Sequence, residues 1–509
     1  MSQARAWSVA LVGMQATMIE VEAAIGSGLP STVMVGLPDL ALSEAKARCR
    51  AAMASAHQSW PSNPVTINLS PAALPKAGSH YDLSICAAVA AANQRCEPAS
   101  LESLAMFGEL GLDGRVRNVR GLLPALLGAV QHGFTRAVVP AGQLHEASLV
   151  DGLTVYGAAD LGDLFAILEG GPGVAAEPSE EREPEPLLRL DLADVVGQSE
   201  AKWALEVAAA GRHHLYLHGP PGVGKTLLAE RLPSILPELS PEEALEVSAI
   251  HSLLGLNLES GLIRRPPFAD PHHTASIASL VGGGARVAAP GAVSRAHHGV
   301  LFLDEAPEFP PKALEALRVP LESGRVVLAR ANATAVYPAQ FQLVLAANPC
   351  PCGNATTVGA ECHCPPMVVR RYRSRVSGPI LDRIDVHQLL RPVRLNLLSE
   401  ATPGESSMAV AERVAGARQR QLRRLAPLGL RTNAQVPGSV LRKRLPTPSD
   451  PELLNTVVQR GQLSVRGVDK VVRLAWTIAD LEGVDRPGRS QLQTALALRR
   501  GEPRERGAA

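Results

Sequence analysis

The sequence predicts an α/β protein in three parts, two in which strands and helices alternate and one of helices alone. Three observations predict it. Short apolar strand patterns alternate with helical ones from about 8 to 169 and again from about 191 to 395. The stretch "EGGPGVAAEPSEEREPEP" between them is rich in Gly, Pro and Glu and has almost nothing to bury, so it reads as a linker. Beyond "ATPGESS" the chain turns helical and basic. The expected divisions are an N-terminal domain at 1–170, a linker at 171–190, a second α/β domain at 191–398 and a helical region at 399–509.

The 509 residues exceed what one core serves, and 46% hydrophobic with 19% charged residues is the composition of an ordinary globular protein. A net charge of +1 predicts neither nucleic-acid nor membrane binding for the whole chain, so either must rest on local patches. No apolar run reaches the length of a membrane span, and the first residues show no clear secretory cleavage pattern; a cytoplasmic location is expected. Seven cysteines then point to free thiols or metal ligands rather than a disulfide framework.

In the N-terminal part "TVMVGLPD" and "PVTINLS" supply strands, and "DLSICAAVAAA" supplies a buried helix. "FGELGLDGRV" is a hairpin turning at Asp113-Gly114, and "GLLPALLGAVQHG" a helix ahead of the strand "AVVP".

The central part opens with the strand–loop–helix "LYLHGPPGVGKTLLAERL". Its loop, Gly219, Pro220, Pro221, Gly222, Val223, Gly224, Lys225 and Thr226, has the P-loop pattern in its required context. Backbone N–H groups wrap phosphates, Lys225 reaches the β and γ oxygens of ATP, and the Thr226 hydroxyl takes Mg²⁺. Some eighty residues on, "GVLFLDEAPE" ends an apolar strand at Asp304 and Glu305, the first placed for Mg²⁺ and the second for the attacking water. "FQLVLAANP" ends at Asn348, which either orients that water or makes an Asx-turn before Pro349. In "SGPILDRIDVH", Arg383 is either a local salt bridge to Asp382 and Asp385 or an arginine finger for a neighbouring subunit. Arg466 in "LSVRGVDK" opens a helix, as a second phosphate contact or as a solvated arginine.

Cys350, Cys352, Cys362 and Cys364 form C-x-C-x9-C-x-C directly after Asn348. Four thiolates can close a tetrahedral structural Zn²⁺ site, although each C-x-C is tighter than the usual C-x2-C; reduced loop thiols or a redox pair are the alternatives. The pairs His272-His273 and His297-His298 lack metal-ligand spacing and read as packing or interface residues. Arg370, Arg371, Arg373 and Arg375, with Arg325 and Arg330, are candidate DNA phosphate contacts, and Arg413, Arg418, Arg420, Arg423 and Arg424 crowd one helix. Only 3% of residues are aromatic, which argues against a base-stacking platform. The bland reading of all these arginines is a solvated face.

"DVVGQ", the P-loop, the "LFLDE" strand, Asn348, "LDRID" and "SVRG" stand in the order of an AAA+ ATPase, which 191 to 500 therefore resembles. The segment "RPPFADPHHTASIASLVGGGARVAAPGAVSRAHHG" looks like the helix-two insert of the AAA+ branch that holds magnesium-chelatase ATPase subunits and minichromosome-maintenance motors, and "LESGRVVLARANATAVYPAQ" like the pre-sensor hairpin of the same branch. Taken whole, with "PHHTAS", "CPCG" and "SGPILDRID" together, the chain is similar to the YifB/ComM group of magnesium-chelatase-like ATPases. That resemblance implies a hexameric ATP- and Mg²⁺-dependent ring acting on DNA, in helicase or branch-migration work during recombination or natural transformation beside recombination proteins. Arg466 would contact nucleotide, in its own subunit or the next.

"LPKAGSHYDLSICAAVAAA" resembles the nucleophile segment of Lon-type proteases, which implies a Lon-protease/ribosomal-S5-like N-terminal fold. Pro75, Lys76 and Gly78 match, but His80 stands at the nucleophile position and Leu123 where that family has its lysine. A Ser-Lys dyad needs a hydroxyl and an amine of depressed pKa, so proteolysis is not expected beyond a formal Ser79–Lys76 pairing. The rival expectations are therefore a protein-remodelling ATPase like the magnesium-chelatase motor and, behind it, an ATP-dependent protease.

Overall fold

The computed structural model describes residues 2–36, 40–72, 74, 80–174, 190–256, 258–284, 288–330, 333–356, 361–392 and 404–503. Most of the expected linker lies outside them, as do Lys76, Gly78 and Ser79 of the protease comparison.

The N-terminal part is a seven-stranded mixed sheet. Its first two strands, Ser2–Val12 and Gln15–Ile25, form an antiparallel hairpin that pairs Ser2 with Ile25 through to Val12 with Gln15. The sequence reading missed this hairpin because alanines carry its alternation: Ala4 and Ala6 are buried while Gln3 and Arg5 are exposed. Val65–Ser70 continues the sheet antiparallel on one side, with Thr32–Val35 parallel beyond it. On the other side Leu104–Met106, Arg136–Pro140 and Thr154–Ala158 follow in parallel. Helix Asp82–Ala92 is buried along its whole length, because both of its flanks are covered by sheet and neighbouring helices. Asp82, the buried charge in that helix, is paired with Arg48 and accepts the Leu110 N–H at 3.0 Å.

The central part is a five-stranded, all-parallel sheet in the order Phe268–Ala269, Val300–Leu303, Gln342–Ala347, Leu215–His218, Val386–Leu389. Val300–Leu303 and Gln342–Ala347 are buried at every position, as expected of strands covered on both faces. Alternate residues enter different cores: Val300, Phe302, Val344 and Ala346 face one, and Leu301, Leu303, Leu343 and Leu345 the other.

The C-terminal helices include Ser407–Leu425, Val465–Glu482 and Arg489–Arg500. Ser406 and Ser464 cap the first two by accepting backbone N–H groups of the opening turn. These helices share a core with one face of the central sheet, through Val414, Val471, Trp476 and Leu492. The helical part therefore has no core of its own among the described residues.

Among the described residues, contacts between the N-terminal and central parts include those of a helix pair and of a turn. Gly121 N–H donates to Ser252 O at 3.0 Å, where helix Leu122–Gln131 packs on helix Pro241–Leu253. The turn Gly13-Met14 seats on Val336: Met14 N–H reaches Val336 O at 3.4 Å. A Cβ on Gly13 would lie 2.8 Å from Val336 N and O, and φ is +65°, so both space and conformation require glycine.

The central sheet should be sensitive to acid. Burial is the largest cause holding His214, His218 and His297 down at about 4 and His387 at about 3. The unfolded chain takes up these protons near its ordinary value of 6.5, before the folded chain does. Stability is therefore kept above that value and lost as pH falls towards 4, at about 1 kcal/mol per histidine by about pH 5.5. Denaturant midpoints measured across that range should fall steadily on acidification.

Candidate functional site

The functional groups gather where the parallel strands end, the usual location of ligand sites in such sheets. Leu215–His218 runs into the P-loop, and helix Lys225–Ile235 leaves it. Gly222 and Gly224 have φ of +74° and +91°, which let successive N–H groups turn inward. Gly219 is required by space: a Cβ there would stand 2.6 Å from Leu390 O.

Lys225 is buried, and its Nζ donates to Gly219 O at 2.9 Å, Pro220 O at 2.8 Å and Asn348 Oδ1 at 2.9 Å. Burial lowers its pKa, while Asp304 and Glu305 pull the other way. Thr226 Oγ1 donates to Asp304 Oδ2 at 2.7 Å, so the two oxygens expected to hold Mg²⁺ lie together. A hydroxyl and a carboxylate at a helix start fit that hard cation. Glu305 is an exposed residue at φ +49°, its N–H turned back to Asp304 Oδ1 at 2.8 Å. A non-glycine residue in that region stores about 1 kcal/mol or more of strain, and here it aims the carboxylate out of the strand end.

Several residues beside this site escaped the sequence reading. His273 Nδ1 lies 3.7 Å from Glu305 Oε2, brought there by the short strand Phe268–Ala269 alongside Val300–Leu303. Gln198 of "DVVGQ" donates from Nε2 to Val223 O at 3.0 Å and Arg391 O at 2.8 Å. It also lines a cleft of about 360 Å³ with Ser199, Leu389, Arg391 and Gly501. The strand-end position of "PHHTAS" and the placement of "DVVGQ" just ahead of the P-loop strand were the available signals.

Arg383 and Arg466 lie at the other end of the sheet. Arg383 precedes Val386, which pairs with Leu215, whereas the P-loop begins after His218 at the far end of that strand. A four-residue strand separates them by about 10 Å. Arg383 does not pair with Asp382 or Asp385; it is bonded to Glu322 and to Pro379 O at 2.8 Å, and its Nε is buried without a partner. Asp385 is taken by Lys470 at 2.6 Å, and Asp382 lies 3.8 Å from Arg466 and 3.5 Å from Arg499. The two arginines thus share one edge, remote from the P-loop of their own chain.

The four cysteines converge. Their sulfurs all lie within 4.8 Å of one another, with Cys350–Cys352, Cys350–Cys362 and Cys352–Cys362 at 3.3, 3.7 and 3.6 Å. Four thiolates bound at about 2.3 Å to one zinc stand about 3.8 Å apart, so this donor set fits that ion. A second cluster, Glu246 with His297 and His298, does not fit one. His297 Nδ1 accepts the Gln340 N–H at 3.0 Å, so its Nε2 carries the proton that it donates to Glu246 at 2.9 Å, and no lone pair is left for a metal.

The basic surfaces divide. Arg325, Arg330, Arg370 and Arg371 are exposed. Arg373 is exposed too but donates to Pro349 O, and Arg375 is paired with Glu308. On the crowded helix four of the five arginines are engaged within the chain, and Arg423 is exposed. Arg413 is held by Glu206 and Glu405, Arg418 by Ala209 O, Arg420 by Asp480 O and Arg424 by both Asp480 oxygens. Arg424 also lies 4.2 Å over the Trp476 ring. Arg424→Ala should therefore cost about 3 kcal/mol of stability, by stranding the buried Asp480. Thermal unfolding checks this, and DNA affinity of the folded fraction should not change.

In the N-terminal part His80 is held by Val9 O at 2.8 Å, burial lowers its pKa, and Leu123 is fully buried in the core. Neither supplies the hydroxyl or the amine of a Ser-Lys dyad.

Comparison with known proteins places family models along the chain: magnesium chelatase subunit ChlI at 191–397, the ChlI subunit of Mg-chelatase at 21–143 and the ChlI C-terminal region at 404–499. An uncharacterized protein of Mycobacterium tuberculosis is 52% identical over 98% of this chain and 99% of its own length. YifB of Escherichia coli is 41% identical over 96% of each chain, and the competence protein ComM of Haemophilus influenzae 38% over 98% of each. No helix among the described residues is long and apolar enough to cross a membrane.

Proposed function

The chain belongs to the magnesium-chelatase-like family that includes YifB and ComM, and from that premise we propose that it is an ATP-hydrolysing ring motor acting on DNA. The observation that carries the ATPase reading is the convergence of Lys225, Thr226, Asp304 and Asn348 within hydrogen-bonding distance at the strand ends. ATP would lay its triphosphate along the P-loop, and its base suits the cleft beside Gln198. Mg²⁺ held by Thr226 and Asp304 would neutralise charge between the β and γ phosphates. Lys225 binds the phosphate oxygens, Asn348 fixes Lys225 and faces the γ position, and Glu305 takes the proton of the attacking water.

The ring, a hexamer in this reading, is supported by Arg383 and Arg466. Both are far from their own P-loop, which favours contact with the nucleotide of a neighbour. In this reading Arg466, like Arg383, serves the adjoining subunit.

DNA is the proposed track because a full-length relative carries competence in its name and because Arg325, Arg330, Arg370 and Arg371 are exposed and free to meet phosphates without reading sequence. Recombination proteins are the corresponding partners. The N-terminal part, read as Lon-like and without a dyad, serves as a collar, and the cysteine knuckle as a structural zinc site. The test is a labelled four-way junction: ATP-dependent conversion to duplex arms that Lys225→Ala cannot perform is the expected result. No conversion by the active ATPase would favour the second reading, remodelling of a protein client, for which the magnesium-chelatase models speak.

A further inference from the structure

We propose that the cysteine knuckle, when loaded with zinc, acts as a wedge that sets the affinity of the nucleotide site. This rests on reading the P-loop as an ATP site and adds a control to it.

The knuckle touches that site at two points. Cys350 follows Asn348 by two residues, and Asn348 Oδ1 accepts from Lys225 Nζ at 2.9 Å. Gly353, between the two cysteine pairs, turns the loop at φ +82° onto the second proline of the P-loop. A Cβ there would lie 2.6 Å from Pro221 Cδ and 2.8 Å from Cγ, atoms of a rigid ring. The segment from Asn348 to Gly353 thus grips the P-loop from the lysine side and the proline side together. A third tether, Arg373 Nε to Pro349 O at 3.0 Å, fixes the knuckle to helix Pro366–Arg373.

Thiols hold such a loop weakly. S–H groups are poor donors, and besides the S···S contacts the loop is held among the described residues by bonds such as Gly353 N–H to Cys350 O at 3.0 Å, Ala355 N–H to Cys350 Sγ at 3.3 Å and Asn354 Nδ2 to Glu361 O at 3.4 Å. Zinc replaces them with four metal–sulfur bonds: each cysteine releases its thiol proton to solvent as its bond forms, and nothing is oxidised or reduced. The ion then fixes Cys350 and Cys352 relative to Cys362 and Cys364, which holds Gly353 against Pro221 and Asn348 on Lys225. Losing it frees both contacts, and nucleotide binding must then pay to order the P-loop.

The full-length protein tests this. Zinc content is measured by atomic absorption, and affinity for a fluorescent ATP analogue is measured as purified, after chelation and after zinc is restored, with circular dichroism recorded throughout. The expectation is about one zinc per chain, about tenfold weaker nucleotide binding without it and recovery on re-addition. Gly353→Ala keeps all four cysteines and its zinc, and its methyl meets Pro221, so it should weaken binding by a similar factor. Absence of zinc, nucleotide affinity indifferent to zinc, or a zinc-loaded Gly353→Ala that binds as the wild type does would each overturn the proposal. If chelation unfolds the chain, the Gly353→Ala result decides alone. A zinc-loaded wild type that binds no nucleotide overturns the ATP-site reading instead.

Discussion

Lys225→Ala should weaken ATP binding by about 100-fold or more while the fold survives. Lys225 Nζ now spends its protons on three oxygens, two of them P-loop carbonyls, and a triphosphate offers charged oxygens in their place. A charge-assisted bond to phosphate is worth about twice a neutral one, and losing a buried cation of this kind costs about 3 kcal/mol. Alanine leaves only neutral acceptors, two buried carbonyls and one amide, so no buried charge is stranded. Glu305→Gln makes the contrast: it keeps the backbone and the Asp304–Thr226 pair, so ATP should bind as before, but it cannot accept a proton. Turnover should fall by about 10² to 10⁴. Fluorescent-nucleotide titration and phosphate release, run on both variants, separate the two roles.

The second large effect belongs to Arg383. Arg383→Ala should lower turnover by about 10³-fold or more in the assembled ring, the scale of an arginine that neutralises transition-state charge. Its partner Glu322 is half exposed and tolerates being left alone, so stability should hold. In the proposed ring, the separation of Arg383 from its own P-loop makes the site composite. Mixing Arg383→Ala with Glu305→Gln subunits should therefore restore part of the activity: some interfaces then pair an intact Glu305 with an intact Arg383. No rescue at any ratio would return Arg383 to a structural role as the clasp on Glu322.

What could be read in the sequence depended on the range of the interactions. The P-loop and the Asp304-Glu305 strand end are local patterns whose chemistry fixes residue types at short spacing, and the fold brings them together through adjacent parallel strands. The seven-stranded sheet was read only in part, because an alanine-based hairpin carries little hydrophobic contrast. The pairing within the arginine helix was hidden for another reason. Its counter-charges are remote in sequence: Glu206 is 207 residues from Arg413, and Asp480 is 56 from Arg424. The local salt bridge considered for Arg383 is not formed, since its neighbours Asp382 and Asp385 are committed elsewhere. Contacts that depend on the absence of a side chain, Gly353 on Pro221 and Gly13 on Val336, leave no sequence signal beyond a glycine.

The central claim is a motor driven by ATP on DNA, and ATP turnover tests it most directly. The purified protein is assayed with no DNA, single-stranded DNA, duplex and a four-way junction, at low and moderate salt, with Lys225→Ala as the blank. The account predicts stimulation by DNA, largest on single strands or junctions and weakened by salt as phosphate contacts are screened. Robust turnover, equal with and without every DNA, would contradict it.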